Sequence, residues 1–116
     1  MTEIALKNKH QITRVISIFD RVDEYYRYLK ESEPTLNENH LLYHEYSTYI
    51  NYINSLLKEM NPSYSHILIN CFYGYKKDSY KWWKKYYSKS SFYRLKQNAI
   101  NAFLERYQPW NELRNY

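Results

Sequence analysis

Glycine and proline are nearly absent: the 116 residues contain one Gly and three Pro. So few breakers disfavour a turn-rich β fold and favour long helices. A single glycine cannot build the glycine-rich loop that cradles phosphate in nucleotide-binding enzymes. One cysteine, Cys71, excludes an intramolecular disulfide and fits a reducing compartment. No apolar run approaches the roughly 18 residues that a membrane span requires. Residues 1–9 also lack the apolar stretch of a secretory signal. These absences predict a cytoplasmic, single-domain chain long enough to bury a core.

What is present is unevenly placed. Residues 1–60 carry seven Lys or Arg against nine Asp or Glu, a net of −2. Residues 61–116 carry ten against three, a net of +7. Eight bases stand between positions 76 and 96 (Lys76, Lys77, Lys81, Lys84, Lys85, Lys89, Arg94 and Lys96), with Asp78 the one acid. A basic block on a helical pair is the electrostatic footprint of a polyanion partner, against the plainer alternative of a solvated lysine face. Sixteen tyrosines supply rings that can be buried with their hydroxyls near water.

Apolar spacing predicts an all-α fold of about five helices: an N-terminal antiparallel pair (residues 1–60) and a C-terminal helix-turn-helix region (61–116) in the same compact unit. The first helix spans about 10–30, with Ile12, Val15, Ile16, Phe19, Val22, Tyr26 and Leu29 at three-four spacing. Asn8 is its candidate cap, and residues 1–9 read as a frayed lead-in. Pro34 closes the following link. The second helix spans about 38–60, on a stripe of Leu42, Tyr46, Tyr49, Ile50, Ile53, Leu57 and Met60, with Thr35 or Asn37 as cap. Asn61-Pro62 starts a third helix as cap and first helical residue, running to about 73 with Gly74 as its stop. Asp78 or Ser79 caps a short fourth helix. Ser88 caps a fifth, at about 88–107, whose buried stripe is Phe92, Leu95, Ala99 and Phe103. Pro109 ends it, and Trp110 and Leu113 fold back on the core.

That last helix carries the functional reading. With its back buried, Lys89, Ser90, Ser91, Tyr93, Arg94 and Gln97 remain on its outer, N-terminal part, where a recognition helix presents side chains to base edges. Arg94 suits guanine, because a guanidinium can bond O6 and N7 together. Lys81, Lys84, Lys85 and Lys89 suit phosphates, which give affinity with little sequence choice. Ser90 and Ser91 can bond either.

Tyr87-Ser88-Lys89-Ser90-Ser91-Phe92-Tyr93-Arg94-Leu95-Lys96, followed by Ala99-Ile100 and Phe103-Leu104, resembles the sigma region 4-like helix-turn-helix of phage late-transcription regulators of the ArpU and RinA type. The resemblance covers about a third of the chain, roughly residues 67–104. It implies that Ser88 caps a recognition helix, that Phe92, Leu95 and Ala99 are core, and that Lys89, Ser90, Ser91, Tyr93 and Arg94 face DNA. One departure stands in the preceding helix. Trp82-Trp83-Lys84-Lys85 replaces the small residue and branched aliphatic usual there, and this bulk works against a close helix crossing.

The expectation is therefore a DNA-binding transcriptional regulator of duplex DNA, not an enzyme, needing no cofactor. The N-terminal pair would brace the motif or recruit a second copy or RNA polymerase. RNA binding is the rival, with Tyr75, Tyr80, Trp82, Trp83, Tyr86, Tyr87 and Tyr93 offered for base stacking among the bases. At least one of Trp82 and Trp83 is expected to be largely buried. A helical protein-interaction module, including a ring-forming phage DNA-packaging subunit, is the other alternative. His40 and His44 share a helix face at a spacing of four, but no acidic or cysteine partner stands at motif spacing, so no metal site is expected. His10 and His66 read as surface or packing residues, and Cys71 as a small apolar residue rather than a nucleophile.

Overall fold

A computed structural model describes residues 3–31, 41–73 and 82–108. Every regular element among them is helical: α1 (Glu3–Glu31), α2 (Leu41–Glu59), α3 (Pro62–Phe72), a 3-10 turn (Trp82–Lys85) and α4 (Lys89–Arg106). The all-α class holds. The described residues form four α-helices rather than about five, because the short fourth helix of the sequence reading is a single four-residue 3-10 turn. Pulling both Trp82 and Trp83 onto one ring, Phe92, sets the backbone there, and packing overrides local propensity.

Helix α1 starts at Glu3, so residues 3–9 are helix and not a frayed lead-in, and Asn8 is interior rather than a cap. Nothing in residues 3–31 breaks a helix. Lys30, in the last turn, favours the negative end of the macrodipole. At 1.5 Å per residue its 29 residues span about 43 Å, which accounts for most of the 48 Å long axis of the molecule. The buried line on α1 is Val15, Ile18, Phe19 and Val22, with Ile12, Tyr25 and Leu29 partly buried beside it. Ile16 falls roughly a third of a turn off that line and is 43% exposed. Tyr26 stands at an open cleft, where Asn54 Nδ2 donates to its hydroxyl at 3.4 Å.

Going up α1, contacts go down α2. Tyr28 and Tyr25 meet Tyr46 at 5.0 and 4.0 Å between ring centroids, while Tyr25 and the Arg21 guanidinium meet the Tyr49 ring at 5.5 Å each. This is the sense of an antiparallel pair. On α2 the predicted Tyr49, Ile50, Ile53, Leu57 and Met60 are buried, joined by Leu56. Asn61 caps α3 as expected, its Oδ1 accepting the Ser63 amide at 2.9 Å with Pro62 at the first helical position. Ser65 Oγ donates to the Leu57 carbonyl, tying α3 back to the end of α2. On α4, Phe92, Ala99 and Phe103 are buried as predicted. Ile100 completes that core stripe, and Leu95 is only half-buried.

Phe19, fully buried, joins three of these helices. Its ring centroid lies 6.1 Å from Phe72 on α3, 5.6 Å from Tyr73 just past it, and 5.4 Å from Phe103 on α4. Tyr49 and Tyr107 close the α2–α4 contact, their hydroxyl oxygens 3.0 Å apart. Tyr52 then fixes the end of α4, accepting the Gln108 amide at 2.7 Å and donating to the Arg106 carbonyl at 3.2 Å. The expected sites Thr35, Asn37, His40, Gly74, Asp78, Ser79, Trp110 and Leu113 lie outside the described residues.

Two outcomes follow. Phe19→Ala should cost about 3–5 kcal/mol in urea unfolding, since it empties a fully enclosed site shared by three helices. Burial raises the pKa of the Tyr49 hydroxyl well above the usual tyrosine value, and the bond to Tyr107 pushes it further in the same direction, while Arg21 opposes. The folded state therefore holds that proton more tightly than the unfolded chain. Its stabilising effect is complete below the unfolded pKa of about 10 and is lost as pH rises beyond it. Thermal stability should stay level through neutral pH and fall above about pH 10, with a shallower fall in Tyr49→Phe. An unchanged alkaline slope in Tyr49→Phe would assign the loss to other groups.

Candidate nucleic-acid interface

The region is built on the start of α4. The Trp83 carbonyl accepts the amides of both Tyr86 (2.9 Å) and Tyr87 (3.0 Å), which closes the 3-10 turn. Ser88 then takes an extended backbone (φ −71°, ψ 162°), and its Oγ accepts the Ser91 amide at 3.3 Å. The Phe92 amide donates to the Ser88 carbonyl at 2.9 Å, starting the helix where the sequence places it.

Aromatic rings fix this start in place. Phe92 lies flat against Trp83, with centroids 4.8 Å apart and planes 9° apart, and takes the edge of Trp82 at 5.8 Å. His66 on α3 holds Trp82 (5.0 Å) and Tyr86 (5.7 Å). Both tryptophans are partly buried, and they divide the cover of Phe92 between them. Cys71 lies under the same cluster: burial pushes its thiol up, against the opposing influence of Lys96 and a hydrogen bond with Trp82. It packs as a neutral group.

Outward from these rings stand the predicted residues. Lys84, Lys85, Lys89, Ser90, Tyr93 and Arg94 are all exposed. Tyr86 and Tyr93, 63% and 52% exposed, put two ring faces into solvent among these bases. Ser91 is half-buried, with its amide on the Ser88 cap. Gln97 is set apart from the exposed group: its Nε2 donates to Gln11 Oε1 on α1 at 2.9 Å and to Asn101 Oδ1 at 3.1 Å. Lys96 turns the other way, its ammonium 5.5 Å over the Phe72 ring. Lys81 lies outside the described residues. Gln11 is the neighbour that sequence reasoning could not supply, because no linear pattern links a position on α1 to one 86 residues later.

The electrostatics are one-sided. Residues 79–104 contain six bases and no acid. The first turn of α4 also has no acid and begins with Lys89, so the positive end of the helix dipole is reinforced rather than compensated. That arrangement works against helix stability and in favour of an anion at this end. The open cleft of about 680 Å³ beside Tyr26, Leu57 and Ile69 is mostly apolar and lined by one base, Lys58. Three of its polar side chains are linked, with Tyr73 Oη donating to Asn54 Oδ1 at 2.8 Å and Asn54 Nδ2 to the Tyr26 hydroxyl at 3.4 Å. Among the described residues no three His, Cys, Asp or Glu gather as a metal site, and no helix is long and apolar enough to cross a membrane.

Comparison with protein-family models, curated proteins and solved structures finds no match to this chain.

The opposed demands on the start of α4 are separable by mutation. Lys89→Glu should stabilise the fold by about 0.3–1 kcal/mol by relieving the dipole, whereas Ser88→Ala should cost about 1 kcal/mol by removing the cap. Urea midpoints at low ionic strength measure both. A destabilising Lys89→Glu would mean that Lys89 serves the fold.

Proposed function

We propose that this protein is a transcriptional regulator that binds duplex DNA through the N-terminal half of α4. The observation that carries the reading is the exposed group Lys84, Lys85, Lys89, Ser90, Tyr93 and Arg94, gathered at an uncompensated helix N-terminus whose back is clamped by Trp82 and Trp83. A rigid back and a basic, hydrogen-bonding front are the requirements of a helix that enters the major groove by its first turns. Arg94 is assigned the base contact, bidentate to guanine. Lys84, Lys85 and Lys89 are assigned phosphates, with Lys81 the further basic member of the set. Ser90, Ser91 and Tyr93 supply shorter-range contacts to bases or backbone. Gln97 borders the face from its bond to α1.

The resemblance to the helix-turn-helix of phage late-transcription regulators supports the same reading. In that comparison the 3-10 turn stands where the family has a helix, and α3 supplies the bracing surface through His66 and Phe72. A second copy of the chain, matching paired half-sites, or RNA polymerase is the partner such a regulator would engage through its N-terminal helices. RNA binding is the second reading, favoured by one specific observation: the solvent-facing rings of Tyr86 and Tyr93 flank bases and can stack on unpaired nucleotides.

Fluorescence anisotropy against a selected duplex, a random duplex and single-stranded RNA, across a salt series, tests the assignment. Selective duplex binding that weakens steeply with salt is expected. Arg94→Ala should cost about 1–3 kcal/mol on the selected site and relax sequence preference. Lys84→Ala should weaken all duplexes alike and reduce the salt slope by about 1. Identical behaviour of the two variants on selected and random duplexes would remove the recognition-helix assignment, and stronger binding to RNA would favour stacking.

A further inference from the structure

The outer face of α4 does not end where it stops being exposed. Ser90, Tyr93, Arg94, Gln97, Asn101, Leu104 and Glu105 follow one another at helical spacing and form a single strip. Its first half faces outward. Along its second half α1 comes alongside, joined by the Gln97–Gln11 hydrogen bond at 2.9 Å. Between the two helices runs a groove of about 1020 Å³, with Asn101, Leu104 and Glu105 on the α4 side.

The α1 wall of this groove is basic. Lys7, His10 and Arg14, spaced three and four apart and all exposed, line it together with the amides of Asn8 and Gln11. Arg14 keeps its guanidinium 5.8 Å from the Tyr107 ring, which holds the far end of this row against the fold. Lys7 lies one turn before Gln11, and Arg94 about one turn before Gln97, so a positive charge stands one turn from each member of the glutamine pair. Glu105 is the one acid that lines the groove.

We infer that the N-terminal half of α1 is a second phosphate-binding element, in which Lys7, His10 and Arg14 continue the polyanion track of α4 across the Gln97–Gln11 bridge onto the DNA backbone beside the groove that α4 enters. The inference rests on the proposed DNA reading and extends it to a helix outside the basic half of the sequence. It explains why the first fourteen residues, inside an N-terminal segment of net −2, hold Lys7, Lys9, His10 and Arg14 against the single acid Glu3. It also limits docking. With α1 against the second half of the strip, only the first two turns of α4 enter the major groove, while α1 lies over the flanking phosphates.

The test compares three double variants of the full chain, each removing two positive charges: Lys7→Gln with Arg14→Gln, Lys84→Gln with Lys85→Gln, and Arg27→Gln with Lys30→Gln. The last pair is exposed at the far end of α1 and serves as the control. Binding to a duplex of the selected sequence is measured across a salt series, with circular dichroism confirming each fold. Each phosphate contact contributes about 0.9 to the slope of log K against log salt. The α1 pair is therefore expected to lower the slope by about 1.8, as the Lys84/Lys85 pair does, with the control unchanged. A slope for the α1 pair equal to the control, while the Lys84/Lys85 pair loses its contacts, overturns the α1 track and leaves the α4 reading standing. Absence of duplex binding by the unaltered protein at low salt overturns both. Should Arg14→Gln loosen the contact with Tyr107 and unfold the pair, Lys7→Gln alone decides the question, with a loss of about 0.9 expected.

Discussion

Phe19 is the constraint on which the arrangement depends. A single enclosed ring meets Phe72, Tyr73 and Phe103, and so fixes α3 and α4 against α1 at the same point. The separation between Phe19 and the Gln11–Gln97 bridge is about two turns of α1. The polar bridge and the apolar junction thus set both the position and the lateral alignment of α4 on the long helix. α2 reaches the same assembly from the other side through Tyr49 and Tyr52, which hold the C-terminal end of α4 by hydroxyl contacts. The start of α4 is fixed separately, by two indoles and His66. A helix held at its middle, its end and its beginning by different elements has little freedom to tilt, and its outer face keeps a constant presentation.

Tyrosine makes much of this possible. The core contains no buried charged residue, and no buried side-chain polar atom among the described residues lacks a partner. Tyr49, Tyr52, Tyr73 and Tyr107 supply apolar area and hydrogen bonds from the same side chains, so interhelical specificity comes without desolvating ions. Lys84, Lys85, Lys89, Arg94 and Arg106 stay at the surface, whereas Lys96 is partly covered, with its ammonium over Phe72. Core and charged face are built from separate residue types, which allows substitution of surface bases with small effects on the fold.

Much of this was legible in the sequence, and what was not has physical reasons. Asn61-Pro62 and Ser88 mark their helix starts plainly, because caps act through neighbouring atoms. The stripes on α2 and α4 follow from spacing alone. The start of α1 was missed because a polar, breaker-free segment is as compatible with a helix as with a loose lead-in. Ile16 against Ile18 was a choice between two registers of an apolar-rich stretch, settled by the position of Phe19 in the junction. The 3-10 turn was unreadable, since it results from two adjacent indoles serving one ring far from any local signal. On the candidate face, Lys89, Ser90, Tyr93 and Arg94 were identifiable as the polar complement of a buried stripe, and Lys84 and Lys85 as members of the basic block. The neighbour of Gln97 was not, because side chains 86 positions apart meet only through the fold.

The bridge between Gln11 and Gln97 joins two positively charged helices through uncharged groups. Neutral amides gain and lose no proton in the accessible pH range, and mobile ions do not screen their bond as they screen an ion pair. The contact that joins α1 to α4 at this point is thus insensitive to ionic strength, whatever the response of the charges on either side of it.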